Sequence, residues 1–434
     1  MADQPESGSS ARNFDARASD RPTGGQIGGR HALTFIFITV LIDMTGLGII
    51  APVMPQLIED LTGRGASDAA VVGGLLYSVY ALMQFVAAPV VGGLSDRFGR
   101  RPVLLFSLAG FSIDYLIMGL APVLWLLFIG RAASGVFGAT ITTAGAYIAD
   151  VSPPEKRAQN FGLLYAGFGV GFIIGPMIGG FLGEIDPRAP FYAASALALS
   201  NLIYGFFVLP ETLKRENRRA FSWARANPLG SLLSIRRYPA VLGLLAAVFL
   251  FQLAHQVYPS VWSYYTIERY GWSERHIGFS LGVVGIVTVI AQGGLTRVII
   301  PRLGDARTVV MGLSLTALIY AGYGLSSAGW MLYIFIVIGG LAGLASPAMQ
   351  SIMTSRIPPD GQGELQGAVA SLTSLASLLA PIPLTSLFGH FSGADAKVYL
   401  PGIPFFAAAG LALTGFALAA RALAAGGAAA RESA

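Results

Sequence analysis

The chain contains no cysteine, which excludes disulfide cross-links and thiol chemistry. Charge is scarce as well: Asp, Glu, Lys and Arg together make up 12% of the residues, roughly half the share of a soluble domain. No phosphate-binding loop, metal-ligand cluster or nucleophile–base pair stands out, so an enzyme is the least expected reading. A Walker-type loop is missing too, which argues against ATP as a driving force. The segment 1–31 lacks the apolar stretch and small-residue cleavage site of a signal peptide. It is rich in Ser, Gly, Asp and Arg and reads as a disordered tail.

What fills the chain instead is apolar. Hydrophobic residues make up 54% of the 434 positions, and the mean hydropathy is +0.64. Length alone would fit two or three soluble domains. Apolar runs of about 20 residues override that reading, because they recur along the whole chain and each is long enough to cross a bilayer. Twelve are read, near 32–55, 69–94, 102–120, 122–149, 158–183, 190–209, 240–265, 276–299, 307–325, 329–352, 364–388 and 398–420. A basic loop over 210–239, which contains Trp223, divides them six and six. The expected organisation is a bundle over 32–209, that loop, a second bundle over 240–421 and a short tail over 422–434.

The formal charge of +5 and a pI near 9.4 need no nucleic-acid partner. With an even number of spans both termini lie on one side. Loops on that side hold 22 of the 28 Lys and Arg residues; the opposite side holds Arg64, Arg188, Arg269, Arg275 and Lys397, and Arg131 lies within a span. This bias predicts cytoplasmic termini.

The two halves echo each other at an offset of 205 positions. Arg97-Phe-Gly99 returns as Arg302-Leu-Gly304, Gly135 and Gly138 as Gly340 and Gly343, and Pro153-Pro154-Glu155 as Pro358-Pro359-Asp360. Gly162 pairs with Gly367 and Pro176 with Pro381. Several matches at one offset indicate a duplicated six-helix unit. Parallel repeats around a midplane site are a transporter architecture, in which the halves rock and expose the site to each side in turn.

Specific motifs sharpen this. The loop after span 2 reads GGLSDRFGRRP, and span 5 carries GFGVGFIIGPMIGG. The first resembles the signature loop of the major facilitator superfamily, and the second the antiporter motif of its proton-coupled drug exporters. YALMQFVAAPVVGGLSDRFGRRPVLLFSLAGFSIDY, GAYIAD and GELQGAVASLTSL are similar to the tetracycline efflux pumps of the TetA type, a likeness running from about residue 33 to 390. The resemblance implies an all-α membrane protein with twelve transmembrane helices in two parallel six-helix repeats. It also implies a proton-coupled exporter of a small amphipathic drug, tetracycline-like or another antibiotic, in the bacterial inner membrane. An exporter of an endogenous metabolite or siderophore-like compound is the alternative. A transporter-shaped receptor is a third, against which the complete motifs argue.

Asp43 is the foremost candidate residue. It stands without another charge in FITVLIDMTGLGIIAPVMP, and a charged Asp at a helix centre costs about 2.5–3.5 kcal/mol on insertion scales. Such a residue usually lines a cavity and carries function. Gly46 and Gly48 after it permit a close approach by another helix or a ligand. Asp114 is the other acid well inside a span, 13 residues beyond Arg101 and so about 20 Å up the helix. Arg131, in IGRAASGVFGA, is a plausible charge partner for the acids. In the resembling pumps the two acids serve substrate and proton coupling, and major facilitator antiporters often carry an Arg linked to proton transfer here. The bland alternatives are interhelical pairing and hydrogen bonding.

Gly92, Asp96, Arg97, Gly99, Arg100 and Arg101, with Asp150 at the end of span 4, form by resemblance a latch that holds the cytoplasmic side closed. Asp96 and Arg100 can approach across a tight turn; the alternative is a topology anchor in a solvated loop. In span 5, Gly167, Gly175, Pro176, Gly179 and Gly180 permit backbone contact between helices and hence a seal against proton leak. Span 7 places Gln252, His255, Gln256 and Pro259 on one helical face; Gln252, His255 and Gln256 are candidate substrate contacts, and His255 is also a candidate for proton coupling. His255 titrates near neutral pH when unperturbed, and it stands where the pumps have a small residue. Tyr77, Tyr80 and Phe161 are aromatic candidates for the cavity wall, although aromatics in membrane helices more often pack. Gln84, in the stretch shared with the pumps, is added as a substrate contact.

Two departures stand out. Where the pumps carry a His in span 8 this chain has Thr288, and where they carry an Asp in span 9 it has Thr316. The expectation is a neutral or weakly charged cargo and weak handling of tetracycline itself. Thr288 is retained as a substrate contact. No cofactor is expected, and a divalent metal enters only as part of a chelated substrate.

Overall fold

The computed structural model describes residues 25–153, 156–221, 235–358, 361–393 and 395–432. Among the described residues every regular element is helical. Eleven helices are long and apolar enough to cross a membrane, and a bent pair, Thr34–Ile50 with Met54–Thr62 at 47°, makes twelve. The chain is therefore a multi-pass membrane protein with the expected number of spans. Span 1 begins at Gly25, so residues 25–31, read above as tail, are helical. The rest of that tail, the stretch 222–234 with Trp223, and the pairs Pro154–Glu155 and Pro359–Asp360 lie outside the described residues.

The duplication is visible in the backbone. Span 1 breaks after Ile50, and span 7 breaks at Gln256, between Pro239–His255 and Val257–Tyr270. Span 4 is interrupted at Ala139 and span 10 at Gly343 and Leu344. Pro176 sits inside span 5, and Pro381 opens the second half of span 11. Gly99 and Gly304 end spans 2 and 8 with φ of 108° and 79°. A side chain strains in that left-handed region, whereas glycine turns the chain there within one residue.

Burial shows how the halves meet. One apolar core crosses between them at the end away from the termini, joining Ile49, Val53 and Phe191 to Trp262, Ile277 and Phe388. At the end carrying the termini each half has its own core: Phe35, Leu104 and Tyr147 in the first, Leu244, Met349 and Leu365 in the second. The polar contacts between halves follow the same division. Ser263 donates to the Ala51 carbonyl at 3.1 Å and Ser273 to Glu184 at 2.9 Å. Arg275 stands 3.9 Å from Glu184, and Ser78 donates to the Leu378 carbonyl at 3.2 Å. The molecule is closed at the far end and parted at the end of the termini.

Candidate functional site

Span 5 positions span 1 through a face without side chains. A Cβ on Gly171 would lie 2.6 Å from the Leu41 carbonyl oxygen, and one on Gly175 2.6 Å from that of Thr45. Gly167 faces Phe37 and Gly179 faces Ile49 in the same progression. The four glycines fall at i, i+4, i+8 and i+12, so they stack along one side of the helix. Sequence reading missed Gly171 in this series. Gly48 answers from span 1, where a Cβ would meet the Pro176 ring at 2.8 Å. The opposite face of span 5 meets span 8 across the two halves: Gly282 lies against Met177, Gly278 against the Pro176 carbonyl, and Gly180 against Glu274. One helix thus packs closely along span 1 within the first half and along span 8 of the second.

Fixed in this way, span 1 turns Asp43 into a small pocket lined by Asp43, Met44, Leu47, Tyr80, Phe111, Tyr115, Arg131, Ser134 and Gly138. Asp43 and Arg131, 88 positions apart, share this wall. Phe111 and Tyr115 lie on it as stacked rings, centroids 5.7 Å apart and 14° between planes. Asp114 stands behind it and accepts a hydrogen bond from the Ser134 hydroxyl, which lines the cavity. Arg131 is 8% exposed. Its Nε and Nη2 have no hydrogen-bond partner, and no ion pair links it to Asp43 or Asp114. No salt bridge joins Arg131 to either acid, while its charge still acts on Asp114 through space.

The other expected contacts divide. Gln84 donates to Tyr80 Oη at 3.3 Å and to the Gly138 carbonyl at 3.4 Å, so it braces the wall. The Tyr77 ring lies 6.3 Å from Tyr80. Phe161 packs against the core of the first half, near Gly145, and is not part of the lining. In span 7 the two glutamines turn to span 11: Gln252 donates to Thr373 at 3.1 Å and Gln256 to Ser377 at 2.8 Å. His255 points elsewhere and remains exposed. Its Nδ1 lies 3.3 Å from Tyr320 Oη, and its ring stacks near Phe251 and edge-on to Tyr258. The Thr288 and Thr316 hydroxyls each donate to their own helix, to Val284 and Gly312 at 2.8 Å. Thr316 is 4% exposed, whereas Thr288 is exposed.

At the end of the termini Arg100 is the centre of the signature loop. Its Nη1 reaches Asp96 at 2.5 Å and Ser95 at 2.6 Å, and its Nε reaches Asp150 at 3.2 Å. Arg97 lies over the Phe98 ring and Arg101 donates to the Phe206 carbonyl at 2.7 Å. Gly92 takes the Ser95 hydroxyl on its carbonyl. The chain leaving span 6 completes the cluster, a feature sequence reading missed. Glu211 accepts the backbone N–H groups of Arg100 and Arg101 at 2.9 and 3.3 Å, which are the free donors at the start of span 3. Thr212 donates to Asp150 at 3.3 Å, and Arg219 N–H to the Asp96 carbonyl at 3.1 Å. All these partners belong to the first half or to the loop that follows it.

Two six-helix repeats that share a core at one end and part at the other, with an acid and a base on one pocket wall of the first, have the architecture of a secondary transporter. The family model of the Major Facilitator Superfamily matches residues 36–381, and the chain belongs to that superfamily, whose members are transporters of small molecules and not enzymes. Within it, the chain belongs with the tetracycline resistance proteins. It is 42% identical to the class C protein of Escherichia coli over 358 residues, 82% of this chain and 90% of that one. It is 37% identical to the class G protein of Vibrio anguillarum over 365 residues, 84% of this chain and 92% of that one. The solved nucleoside transporter NupG shares the fold at a TM-score of 0.73 and 12% identity, over 91% of this chain and 99% of that one.

Proposed function

We propose that the protein exports a small amphipathic drug of the tetracycline type, or another antibiotic, in exchange for protons entering across the bacterial inner membrane. The observation that carries this reading is Asp43: an isolated carboxyl on the wall of a pocket that it shares with Arg131. Asp43 binds substrate and proton in turn; Asp114 communicates with it through Ser134, and Arg131 and His255 complete the set of ionisable groups. The charge bias of the loops supports cytoplasmic termini. The parted end then faces the cytoplasm, and the structure is the loading state. The complex of a drug with a divalent metal is cargo; the protein itself needs no cofactor.

The driving force suffices. One proton crossing about 150 mV releases about 3.5 kcal/mol, which sustains a gradient of roughly 300-fold for a neutral substrate. For a monovalent cation exchanged one for one, only the pH gradient remains.

The test is Asp43→Asn in inverted membrane vesicles. The variant inserts and folds, and proton-driven uptake of drug is abolished. Uphill transport at the wild-type rate by the Asn variant would refute the reading.

A further inference from the structure

Span 8 is not a continuous α-helix. It runs as Glu274–Ile290 and Thr296–Leu303 on either side of a π-helical turn, Ala291–Leu295. Its repeat partner, span 2, is α-helical from Ala66 to Phe98 and carries Pro89 inside. Single π-turns within α-helices are rare and fall frequently at functional places.

The repeat identifies the turn as an inserted residue. On the far-end side of it, spans 2 and 8 correspond at an offset of 204. Gly74 packs on Thr385 as Gly278 packs on Gly180, and Ser78 donates to the Leu378 carbonyl where Gly282 faces the Ile173 carbonyl. Thr385 and Leu378 themselves follow Gly180 and Ile173 by 205. On the side of the termini spans 2 and 8 are also 205 apart, Arg97 with Arg302 and Gly99 with Gly304. One residue therefore enters span 8 between Gly282 and Arg302, and the π-turn is where the helix absorbs it.

Two local features hold the turn. Gly293 and Gly294 put two weak α-helix formers in succession. Thr296 gives both its N–H and its hydroxyl to the Ala291 carbonyl, five residues back, the hydroxyl at 3.0 Å. The surroundings leave room for movement. A Cβ on Gly293, Gly294 or Gly304 would meet nothing within 4 Å, and no residue from Thr296 to Leu303 is buried. On the far-end side, by contrast, Gly278, Gly282 and Gly285 hold span 8 against span 5. The equivalent end of span 2 is clamped: Ser95 is buried, Gly93 lies against Phe221, and Arg100 holds Asp96 and Asp150. In the second half Asp305 stands in the place of Arg100 and accepts the Ser351 hydroxyl of its own half.

We infer that residues 291–295 are a joint of the transport cycle, which rewinds from π to α when the end of the termini closes. Rewinding turns the free end of span 8 by about 100° and advances it by about 1.5 Å, one residue of α-helix. Arg297 and Arg302, both exposed in the parted state, turn with it. The clamped end of span 2 lacks this freedom, so the two repeats close differently. The joint deepens the export reading above and rests on it.

The test uses the purified full chain, spin-labelled at Phe98→Cys and Leu303→Cys, exposed and equivalent sites at the ends of spans 2 and 8. The chain has no cysteine of its own to interfere. Electron–electron double resonance at acidic and at neutral pH gives the distance in three backgrounds. The native background should show two distances, and the shorter should gain at acidic pH, since only a loaded antiporter exchanges between its states. Deletion of Gly294 leaves the free end in its parted position as plain α-helix, with no residue to rewind, and only the longer distance should remain. Thr296→Val keeps the shape and removes the hydroxyl that bonds Ala291. The ratio of shorter to longer should rise about fivefold, the scale of one hydrogen bond. An unchanged ratio in Thr296→Val, or alternation that survives the deletion, would overturn the inference; the valine variant decides alone where the deletion does not fold. A single pH-independent distance in the native background would strike the proton-driven reading itself, and the joint with it.

Discussion

Glu211 accepts the backbone N–H of Arg100 at 2.9 Å, across 111 positions of sequence. The contact ties the chain leaving span 6 to the first turn of span 3, where a carboxylate offsets the positive end of the helix. The Arg100 guanidinium holds Asp96 and Asp150 at the same place. The signature loop and the start of the central loop are thus one structure, and whatever moves one moves the other.

Replacing Glu211 by Gln keeps its size and removes its charge. The helix start loses about 0.3–1 kcal/mol of dipole interaction, and the hydrogen bonds weaken further. Turnover of drug export is expected to fall several-fold with expression and substrate affinity near wild type. Steady-state transport and equilibrium binding on the same preparation check this; a variant with unchanged turnover would detach the loop from the cycle.

Asp96→Asn should act on the same step. The residue is distant from Asp43 and contacts Arg100 only at the rim, so it should slow exchange between conformations and leave affinity alone. Binding and transport measured separately decide it. A loss confined to affinity would contradict a role at the rim.

Gly175→Leu drives a side chain into the Thr45 carbonyl, where a Cβ alone would lie at 2.6 Å. Overpacking of this kind costs about 1–3 kcal/mol, and here it displaces the helix that carries Asp43. Export or its coupling should be lost with the protein still expressed. Gly282→Leu strikes Met177 across the two halves instead, and should disfavour the state closed at the far end. Accessibility of a single cysteine introduced at Ser263 to an impermeant thiol reagent from outside should rise in Gly282→Leu and not in Gly175→Leu. Full activity of Gly175→Leu would remove the case for backbone contact there.

Thr288 and Thr316 bring no ionisable group to the second half. Metal-chelated tetracycline should therefore be exported weakly by the native chain, and Thr288→His with Thr316→Asp should raise its export. Growth in tetracycline with and without divalent metal, alongside vesicle uptake, measures it. Strong metal-dependent resistance from the native chain would show that the two positions matter little.

The spans, their division six and six, and the isolation of Asp43 were all legible in the sequence, because hydropathy is a local property and a bilayer enforces it on every segment. The repeated glycines and prolines were legible too, whereas the breaks in spans 1, 4, 7 and 10 emerged only in the structure. Tertiary structure alone decided which faces met. Gln252 and Gln256 share a helical face with His255 in projection, yet they bond to span 11 while His255 turns to Tyr320. Arg131 and Asp43 share a wall without pairing, Gly171 joins the glycine seam, and Glu211 closes on Arg100 from beyond span 6. Each of these depends on the rotation and tilt of helices packed against partners far away in the chain, and no pattern within a single span encodes that angle.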